Sequence, residues 1–275
     1  MIHFATYPSR LRMVALFLLT FSFQPMYGST FSRIPDIKVE DSDWGEVSIE
    51  EIHKVLISTA NQILPYTKRV NWKPILVKRS NKGPMVLFKR GKNDEYIVLL
   101  NTNGRYWCQY AFQFAHEIGH ILCGYHQENK RHLWYEEAVC EVASLFALRK
   151  MTKAWSEYPP YPHLITYAPE FQKYADKRLG VDDTTDTFNF PEWYLKNRNA
   201  LEQEPTNFDR NLIVASQLLP IFEKNPMLWE ACNMLSFPEQ NMVSFEEYLQ
   251  KWKARCEISA NLLSIREIEV LFGFY

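Results

Sequence analysis

The chain has 275 residues, of which 47% are hydrophobic and 15% aromatic, so it is long and apolar enough to bury a sizeable core. Its 31 basic residues almost balance its 32 acidic residues, which gives a formal net charge of −1. Because the sequence also lacks a run of Lys and Arg, this balance gives no reason to expect attraction to nucleic acid or to an anionic membrane surface. We therefore expect no nucleic-acid partner.

The first segment, residues 1–28, is predicted to be a signal peptide. Arg10 and Arg12 supply positive charge, and no acidic residue precedes Asp36. The apolar run at residues 13–23 has the length of the apolar part of a signal sequence and is too short to span a bilayer comfortably. We therefore expect a protein that is secreted or held in the periplasm or cell envelope, without stable membrane insertion. An uncleaved membrane anchor or a buried amino-terminal helix is the alternative.

Helix and strand signals follow along the chain. Ser48 and Glu51 match a capping box, and apolar residues at helical spacing continue from there to Ile63, shortly before Pro65. Runs of branched and aromatic residues, separated by turns that contain Asn and Gly, then predict three strands. These predicted strands are residues 74–77, 85–88 and 96–101.

A longer helix is predicted over residues 106–122, which contain no Pro. Several polar and Cys side chains recur there at spacings of three and four, which places them in one stripe of the helix. They are Gln109, Gln113, His116, His120 and Cys123. Gly124 follows, where a left-handed residue commonly ends a helix. The pattern therefore puts both histidines in the interior of a rigid element.

Residues 116–120 read His-Glu-Ile-Gly-His and carry the strongest chemical signal in the chain. Two histidines four residues apart project from the same helical face, where they can bind one metal ion, and Glu117 then overhangs the ion's open position. This is the H-E-x-x-H pattern of the zinc site in metallopeptidases. The alternative is a pair of ordinary histidines on an amphipathic helix.

A catalytic zinc needs a third protein ligand and an open fourth position. Residues 134–140 read Trp-Tyr-Glu-Glu-Ala-Val-Cys and resemble the second signature of the gluzincin peptidases, most closely Trp-Leu-Asn-Glu-Gly-Phe-Ala of the aminopeptidase N family. The resemblance implies that Glu137 is the third ligand and that Glu141, one turn later, hydrogen-bonds a ligand histidine. A shift of one residue would make Glu136 the ligand instead. A purely structural interpretation is an acidic first turn that complements the helix dipole.

The resemblance covers residues 96–148 only. No Gly-Ala-Met-Glu-Asn sequence is present, so recognition of a free amino terminus is not supported, and no metzincin-type glycine and third histidine follow His120. Gluzincins place the edge of a sheet beside the zinc, where an extended peptide can bind as an added strand. Residues 96–102 are the candidate for that edge, with an ordinary core strand as the alternative.

The carboxy-terminal half is predicted to be mostly helical, with a Pro-rich loop at 158–163 and helical patterns at 211–223 and 244–256. Together these elements predict an α+β fold in which a small antiparallel sheet packs on the HExxH helix and a mostly helical part follows. The predicted divisions are a signal peptide at 1–28, a zinc-metallopeptidase-like core at 29–155 and a helical subdomain at 156–275.

The chain has five cysteines, an odd number that leaves their pairing open. Cys123 lies three residues after His120, but a thiolate ligand would close the site that catalysis needs open. If the two site helices run antiparallel with the metal ligands level, Cys123 and Cys140 lie ~9 Å apart along the helix axis, at ~1.5 Å per residue, and form no disulfide. We expect a disulfide between Cys232 and Cys256 instead.

These observations predict a peptidase that binds one Zn²⁺ per chain through His116, His120 and Glu137 and acts on a peptide or protein substrate. Glu117 is the predicted general base, which takes a proton from the attacking water and passes it to the leaving amine. A donor must also stabilise the oxyanion. Its candidates are His126, His132, Tyr135, Tyr158, Tyr161, His163 and Tyr167.

Two other functions remain open. A zinc-binding regulatory or binding protein would keep the peptidase scaffold with very narrow or no proteolytic activity, and a structural envelope protein would keep only a decayed motif. Glu117 argues against decay, because metal binding alone needs the ligands but not the base.

Overall fold

The computed structural model describes residues 34–124, 131–180, 188–236 and 244–275. The predicted signal peptide lies outside the described residues. As predicted, the fold combines a small sheet with a larger number of helices. The strands are β1 (Ile37–Val39), β2 (Ile75–Arg79), β3 (Met85–Leu87) and β4 (Tyr96–Leu100). The helices are α1 (Ile49–Ile63), α2 (Trp107–Leu122), α3 (Leu133–Glu157), α4 (Ala168–Leu179), α5 (Phe190–Gln203), α6 (Phe208–Lys224), α7 (Leu228–Ala231), α8 (Phe245–Arg255) and α9 (Ser259–Leu271).

The sheet has the strand order β1-β2-β4-β3 and is mixed, so the prediction of an antiparallel sheet is wrong. Strands β1, β2 and β4 run parallel, and β3 is antiparallel to β4, with Val86 opposite Val98. An antiparallel meander would pair the strands in sequence order, whereas β4 lies between β2 and β3. The Tyr-Ile-Val-Leu-Leu sequence of β4 is almost entirely buried, as is typical of an interior strand.

The sheet edge in this region is β3, so the prediction that residues 96–102 form that edge is wrong. Strand β4 is paired on both sides, whereas among the described residues β3 pairs with β4 alone. Met85 on β3 and Phe88 just after it are 40% and 55% exposed. Residues of α2 come close to both β3 and β4. The outer strand β3 therefore lies near the helix that carries the two histidines.

Helix α1 begins at the predicted capping box. The hydroxyl of Ser48 accepts a hydrogen bond from the Glu51 backbone N–H at 3.1 Å, and the Glu51 carboxylate accepts one from the Ser48 N–H at 3.0 Å. This reciprocal pair satisfies two backbone donors that the first turn leaves without partners. The apolar stripe of α1 faces α2 and α3. Its buried side chains include Ile52, Val55, Leu56, Ala60 and Ile63.

Helix α3 is central to the described structure. Residues 138–148 are apolar apart from Glu141 and Ser144, and all of them are buried. A helix that is apolar on all sides is stable only when other elements surround it, and α3 contacts α1, α2, α4 and α6. Residues Ser32–Tyr275 form one compact unit. The predicted boundary between residues 155 and 156 lies in the last turn of α3.

The carboxy-terminal helices also follow local sequence signals. Helix α8 begins at the second predicted capping box, in which Ser244 accepts a hydrogen bond from the Glu247 N–H at 3.2 Å. Helix α6 continues through Pro220. Among the described residues, no helix is both long and apolar enough to cross a membrane.

Candidate metal centre

Helices α2 and α3 lie side by side and carry all the residues predicted to hold the metal. The Ser144 hydroxyl donates to the carbonyl of Phe112 at 2.8 Å, and His120 Nδ1 lies 2.8 Å from Glu136 Oε1. Residue numbers therefore rise in opposite directions across the contact, so the helices are antiparallel. The rings of His116 and His120 are one turn apart, with their centroids separated by 5.0 Å.

Gly119 allows the two helices to approach closely. A methyl group on its Cα would lie 2.9 Å from both the Cα and the Sγ of Cys140, closer than such atoms normally come. Any larger residue would push α3 away from α2. The glycine therefore brings the side chains of α3 within reach of both imidazoles.

We expect Gly119→Ala to destabilise the protein by about 1–3 kcal/mol, the usual cost of overpacking a core. The variant should also bind less metal, because Glu137 moves away from His116 and His120. Thermal unfolding and elemental analysis measure the two effects. Adding Cys140→Ala removes the Sγ contact, so the double variant should recover part of the loss. Wild-type stability and metal content in Gly119→Ala would show that this close approach is not required.

Both histidines direct Nε2 toward Glu137. Its Oε2 lies 3.4 Å from His116 Nε2, and its Oε1 lies 3.8 Å from His120 Nε2. A tetrahedral ion with bonds of ~2.0–2.1 Å holds its ligand atoms ~3.3 Å apart. The carboxylate therefore approaches each imidazole at close to the separation of two zinc ligands, through a different oxygen in each case. The side chains of His116, His120 and Glu137 are only 17%, 13% and 18% exposed. The structure thus brings the three predicted ligands together in a partly buried position.

Each imidazole also has a carboxylate on the side of its other nitrogen, Nδ1. Glu136 Oε1 lies 2.8 Å from His120 Nδ1, and Glu141 Oε2 lies 3.9 Å from His116 Nδ1, which is beyond direct hydrogen-bond distance. A carboxylate hydrogen-bonded to Nδ1, as Glu136 is, favours a proton on Nδ1 and leaves the Nε2 lone pair for a metal. The predicted hydrogen bond between a ligand histidine and Glu141 is not made at this distance, and Glu136 faces Nδ1 rather than Nε2.

Arg178 on α4 contacts Glu141 beside the histidines, although no motif in the sequence predicts this contact. Its Nη2 donates to Glu141 Oε1 at 2.7 Å. Its guanidinium lies over the rings of Phe112 and Phe208, 4.8 and 3.9 Å from their centroids. The Glu141 side chain is 3% exposed, so Arg178 supplies the opposite charge that a buried carboxylate requires. No local pattern links residues 37 positions apart.

The carboxylates around His120 keep its imidazole protonated when no metal is bound. Burial by itself lowers the pKa of His120, but the hydrogen bond with Glu136 and the charges of Glu137, Glu136 and Glu117 outweigh it and raise the pKa to about 10. Burial raises the pKa of Glu136 to about 7, against the effect of its hydrogen bond with His120. Burial also opposes ionisation of Glu137, but the hydrogen bond with His116 and the imidazole charges lower its pKa. A metal ion must therefore displace a proton from His120.

Glu117 lines the same space next to the sheet edge. It is 2% exposed, and within the described ranges its Oε2 has no hydrogen-bond partner. Its carboxylate accepts a hydrogen bond from the backbone of Val86 on β3. Burial raises the pKa of Glu117, while the charges of His116 and His120 act in the opposite direction. Because buried polar atoms nearly always have partners, this oxygen is available to a water or a ligand in the same space.

Cys140 is an alternative third member of the group. One ligand atom each of His116, His120 and Cys140 lie within 4.8 Å of one another, so the chain holds a group that can bind a metal ion. A metal ligand must be a thiolate, whereas burial raises the pKa of the Cys140 thiol well above its usual range. Glu137 presents an easily ionised carboxylate to both Nε2 atoms. Ease of ionisation therefore favours Glu137 over Cys140.

The predicted arrangement of the cysteines is wrong in two respects. All five are free thiols, so Cys232 and Cys256 form no disulfide. The Cys232 thiol instead neighbours that of Cys123, and the Cys256 thiol donates to a backbone carbonyl one turn earlier, at 3.4 Å. The Cys123 thiol also hydrogen-bonds with Cys140, so these two are not separated along the axis as expected. The close contact at Gly119 explains the difference. It places Cys140 of α3 beside Gly119, which lies one turn before Cys123 on α2.

A cavity of about 500 Å³ contains the candidate centre. Its walls come from β3, α2, α3 and the start of α6. His116, Glu117, His120, Glu136 and Glu137 all line it. These side chains are therefore accessible to a molecule of the size of a short peptide segment.

None of the predicted oxyanion donors within the described residues lines this cavity. His132 and Tyr135 are fully buried among other side chains, and Tyr158 is 84% exposed. His126 lies outside the described residues. The uncharged polar side chains that do line the cavity are Gln113 and Thr206. Gln113 is already hydrogen-bonded to the backbone of residue 101, which leaves the donor unassigned.

Comparison of the chain with protein-family models, with curated proteins and with solved structures finds no match.

Proposed function

We propose that the chain is a zinc-dependent peptidase in which His116, His120 and Glu137 bind one zinc ion and Glu117 is the general base. The observation that best supports this is the convergence of two Nε2 atoms and one carboxylate beside a buried Glu117 oxygen without a partner. A protein that only binds zinc would need the three ligands but has no use for Glu117 in that position. Peptide hydrolysis uses all four groups.

Zinc is the metal that suits these residues best. Two imidazoles and one carboxylate form a common ligand set of catalytic zinc sites, and this set leaves a fourth position open. The Glu136 carboxylate on the Nδ1 side of His120 is also characteristic of such sites, because it fixes the ring orientation. When bound, zinc would polarise the carbonyl of the scissile bond and increase the acidity of a water molecule in the site.

Glu117 would transfer the protons of the reaction. Its carboxylate takes a proton from the attacking water and delivers it to the nitrogen of the leaving amine. Burial raises its pKa, which makes it a better proton acceptor than an exposed glutamate. The hydrogen bond from Val86 holds the carboxylate in place while leaving Oε2 available.

Strand β3 would position the substrate. We propose that α2 packs on this side of the sheet so that Glu117 keeps a fixed distance from β3. The closeness of α2 to β3 and β4, together with the hydrogen bond between Val86 and Glu117, supports this arrangement. An extended peptide could then lie along the cavity wall that β3 forms and bring its carbonyl to the metal.

Substitution of the two neighbouring glutamates tests the assignment of the third ligand. We expect Glu137→Ala to lose its zinc, because the carboxylate that faces both Nε2 atoms is removed. Glu136→Ala should keep zinc with an affinity about 10–100-fold lower, the usual effect of removing a group that orients a ligand. Glu157→Ala, at the exposed end of the same helix, is the control. Greater zinc loss in Glu136→Ala than in Glu137→Ala would contradict the assignment.

A further inference from the structure

The two candidate histidines are supported in different ways. His120 Nδ1 lies 2.8 Å from an oxygen of Glu136, so this imidazole is held directly by α3. His116 Nδ1 faces Glu141, whose Oε2 is 3.9 Å away, and Oε1 of the same carboxylate accepts a hydrogen bond from Arg178 Nη2 at 2.7 Å. The carboxylate beside His116 is therefore anchored from a third element, α4.

The guanidinium of Arg178 is held in one place. It lies over the rings of Phe112 and Phe208, 4.8 and 3.9 Å from their centroids. Phe112 is on α2, one turn before His116, and Phe208 begins α6. A planar guanidinium suits such a position because it can stack on aromatic faces and still donate to a carboxylate. Contacts with α2 and α6 therefore determine where Arg178 presents its hydrogen bond to Glu141.

This hydrogen bond controls the direction of the Glu141 carboxylate. The Glu141 side chain is 3% exposed, so water has little access to its oxygens. A carboxylate is planar, so an Oε1 fixed at Arg178 leaves Oε2 only a small range of positions beside His116. Oε2 would have to approach Nδ1 by about 1 Å to form a hydrogen bond. The position of Arg178 therefore decides how closely His116 is held.

We propose that Arg178 is a positioning residue of the metal centre. By holding one oxygen of Glu141, it fixes the other oxygen beside His116 Nδ1 and so sets the orientation of this imidazole toward the ion. The inference rests on the proposed function, in which His116 is a metal ligand. It gives α4, which carries none of the ligands, a part in metal binding.

The affinity for zinc tests the inference without any peptide substrate. Competition with a chromophoric chelator measures the zinc affinity of each purified full-length variant. We expect Arg178→Met to bind zinc about tenfold more weakly, at the lower end of the usual effect of removing a group that orients a ligand. Arg178→Lys keeps the charge but replaces the planar guanidinium with a single ammonium group, so it should recover only part of the loss.

A double-mutant cycle shows whether Arg178 acts through Glu141. Glu141→Gln removes the carboxylate, and in this background Arg178→Met should change the zinc affinity by less than about twofold. Arg178→Met alone leaves a buried carboxylate without its cation, so circular dichroism checks that this variant folds. If it does not fold, the cycle is measured with Arg178→Lys, which retains the counter-charge.

Arg149→Met and Arg149→Lys are matched controls. Arg149 on α3 pairs with both oxygens of Glu223 on α6 at 3.1 Å and does not line the cavity. Its side chain is 30% exposed, close to the 24% of Arg178. Loss of this pair should lower the melting temperature but leave the zinc affinity at the wild-type value.

Cobalt supplies a spectroscopic signature of the ligand geometry. Co²⁺ has partly filled d orbitals, so its visible absorption responds to the arrangement of the ligands when it replaces zinc. The bands should change in position or intensity in Arg178→Lys and stay unchanged in Arg149→Lys. A purely structural role for Arg178 would alter stability but not this spectrum.

The outcomes separate this inference from the proposed function. Wild-type zinc affinity and an unchanged cobalt spectrum in the Arg178 variants, or an equal loss of affinity with and without the Glu141 carboxylate, would overturn the inference and leave the zinc site in place. If the effect of Arg178 passes through Glu141 but wild type cuts no peptide, the inference holds and the peptidase function fails. If wild type binds no zinc, both are wrong.

Discussion

Glu117→Gln should lower peptide hydrolysis by roughly 10²–10⁴-fold, the usual effect of losing a general base, while zinc content stays at the wild-type level. Glutamine has the size of glutamate and can hydrogen-bond, but its amide cannot accept the proton of the attacking water. The metal ligands are untouched, since Glu117 lies beside them and is not one of the three groups that converge. Cleavage of a proteome-derived peptide library, analysed by mass spectrometry, measures the rate.

The fold should not weaken in this variant. Burial raises the pKa of Glu117, so its ionised form costs stability that a neutral amide avoids. The melting temperature should therefore equal or exceed that of the wild type. Glu157→Gln, which changes an exposed residue outside the cavity, is the matched control and should keep full activity. If Glu117→Gln cleaves library peptides as fast as the wild type, the proposed mechanism is wrong.

Removal of the metal should abolish hydrolysis and lower the melting temperature by roughly 10 °C. A ligand present at about 1,000 times its Kd stabilises the folded state by ~4 kcal/mol, and each kcal/mol shifts the melting temperature of a chain of this size by ~2–4 °C. Dialysis against a chelator, followed by scanning calorimetry and an activity assay, measures both effects. Activity and melting temperature should return on addition of zinc. Full activity in protein shown by elemental analysis to be metal-free would contradict the account.

The affinity for zinc should increase with pH. In the metal-free protein the pKa of His120 is raised to about 10, so zinc must release one proton from this residue at neutral pH, and its affinity rises about tenfold per pH unit. The stability of the metal-free protein varies in the opposite direction. Protonation of a histidine whose pKa is raised by folding stabilises the folded state fully below pH ~6.5, which is the pKa of His in the unfolded chain. This contribution is lost as the pH rises toward the pKa of the folded state. Calorimetric titration with zinc in buffers of different ionisation enthalpy counts the protons released on binding. If zinc binding releases no proton, the predicted link between pH and zinc affinity is wrong.

The parts of the structure that depend on local sequence could be predicted. The capping boxes at Ser48 and Ser244 start helices where expected, and the predicted helix 106–122 is observed as α2 with nearly the same bounds. Hydrogen bonds within one turn and spacing along one helix determine these features. The convergence of the two histidines also follows from spacing within a single helix.

The parts that depend on contacts between distant elements could not be predicted. The position of β4 between β2 and β3 decides which strand is the outer one, and the sequence of a single strand does not determine this order. The roles of Glu136 and Glu137 depend on how α3 is rotated against α2, which the contact at Gly119 helps to set. Arg178 reaches the site from a helix that has no motif of its own.

Zinc content is the most direct test of the central proposal, that His116, His120 and Glu137 bind a zinc ion. Elemental analysis would be carried out on the purified full chain, on the His116→Ala, His120→Ala double variant and on His163→Ala, which alters an exposed histidine outside the cavity. We expect one zinc per chain in the wild type and in His163→Ala, and none in the double variant, since two of three ligands are lost. A double variant that folds and still binds one zinc per chain would contradict the proposal.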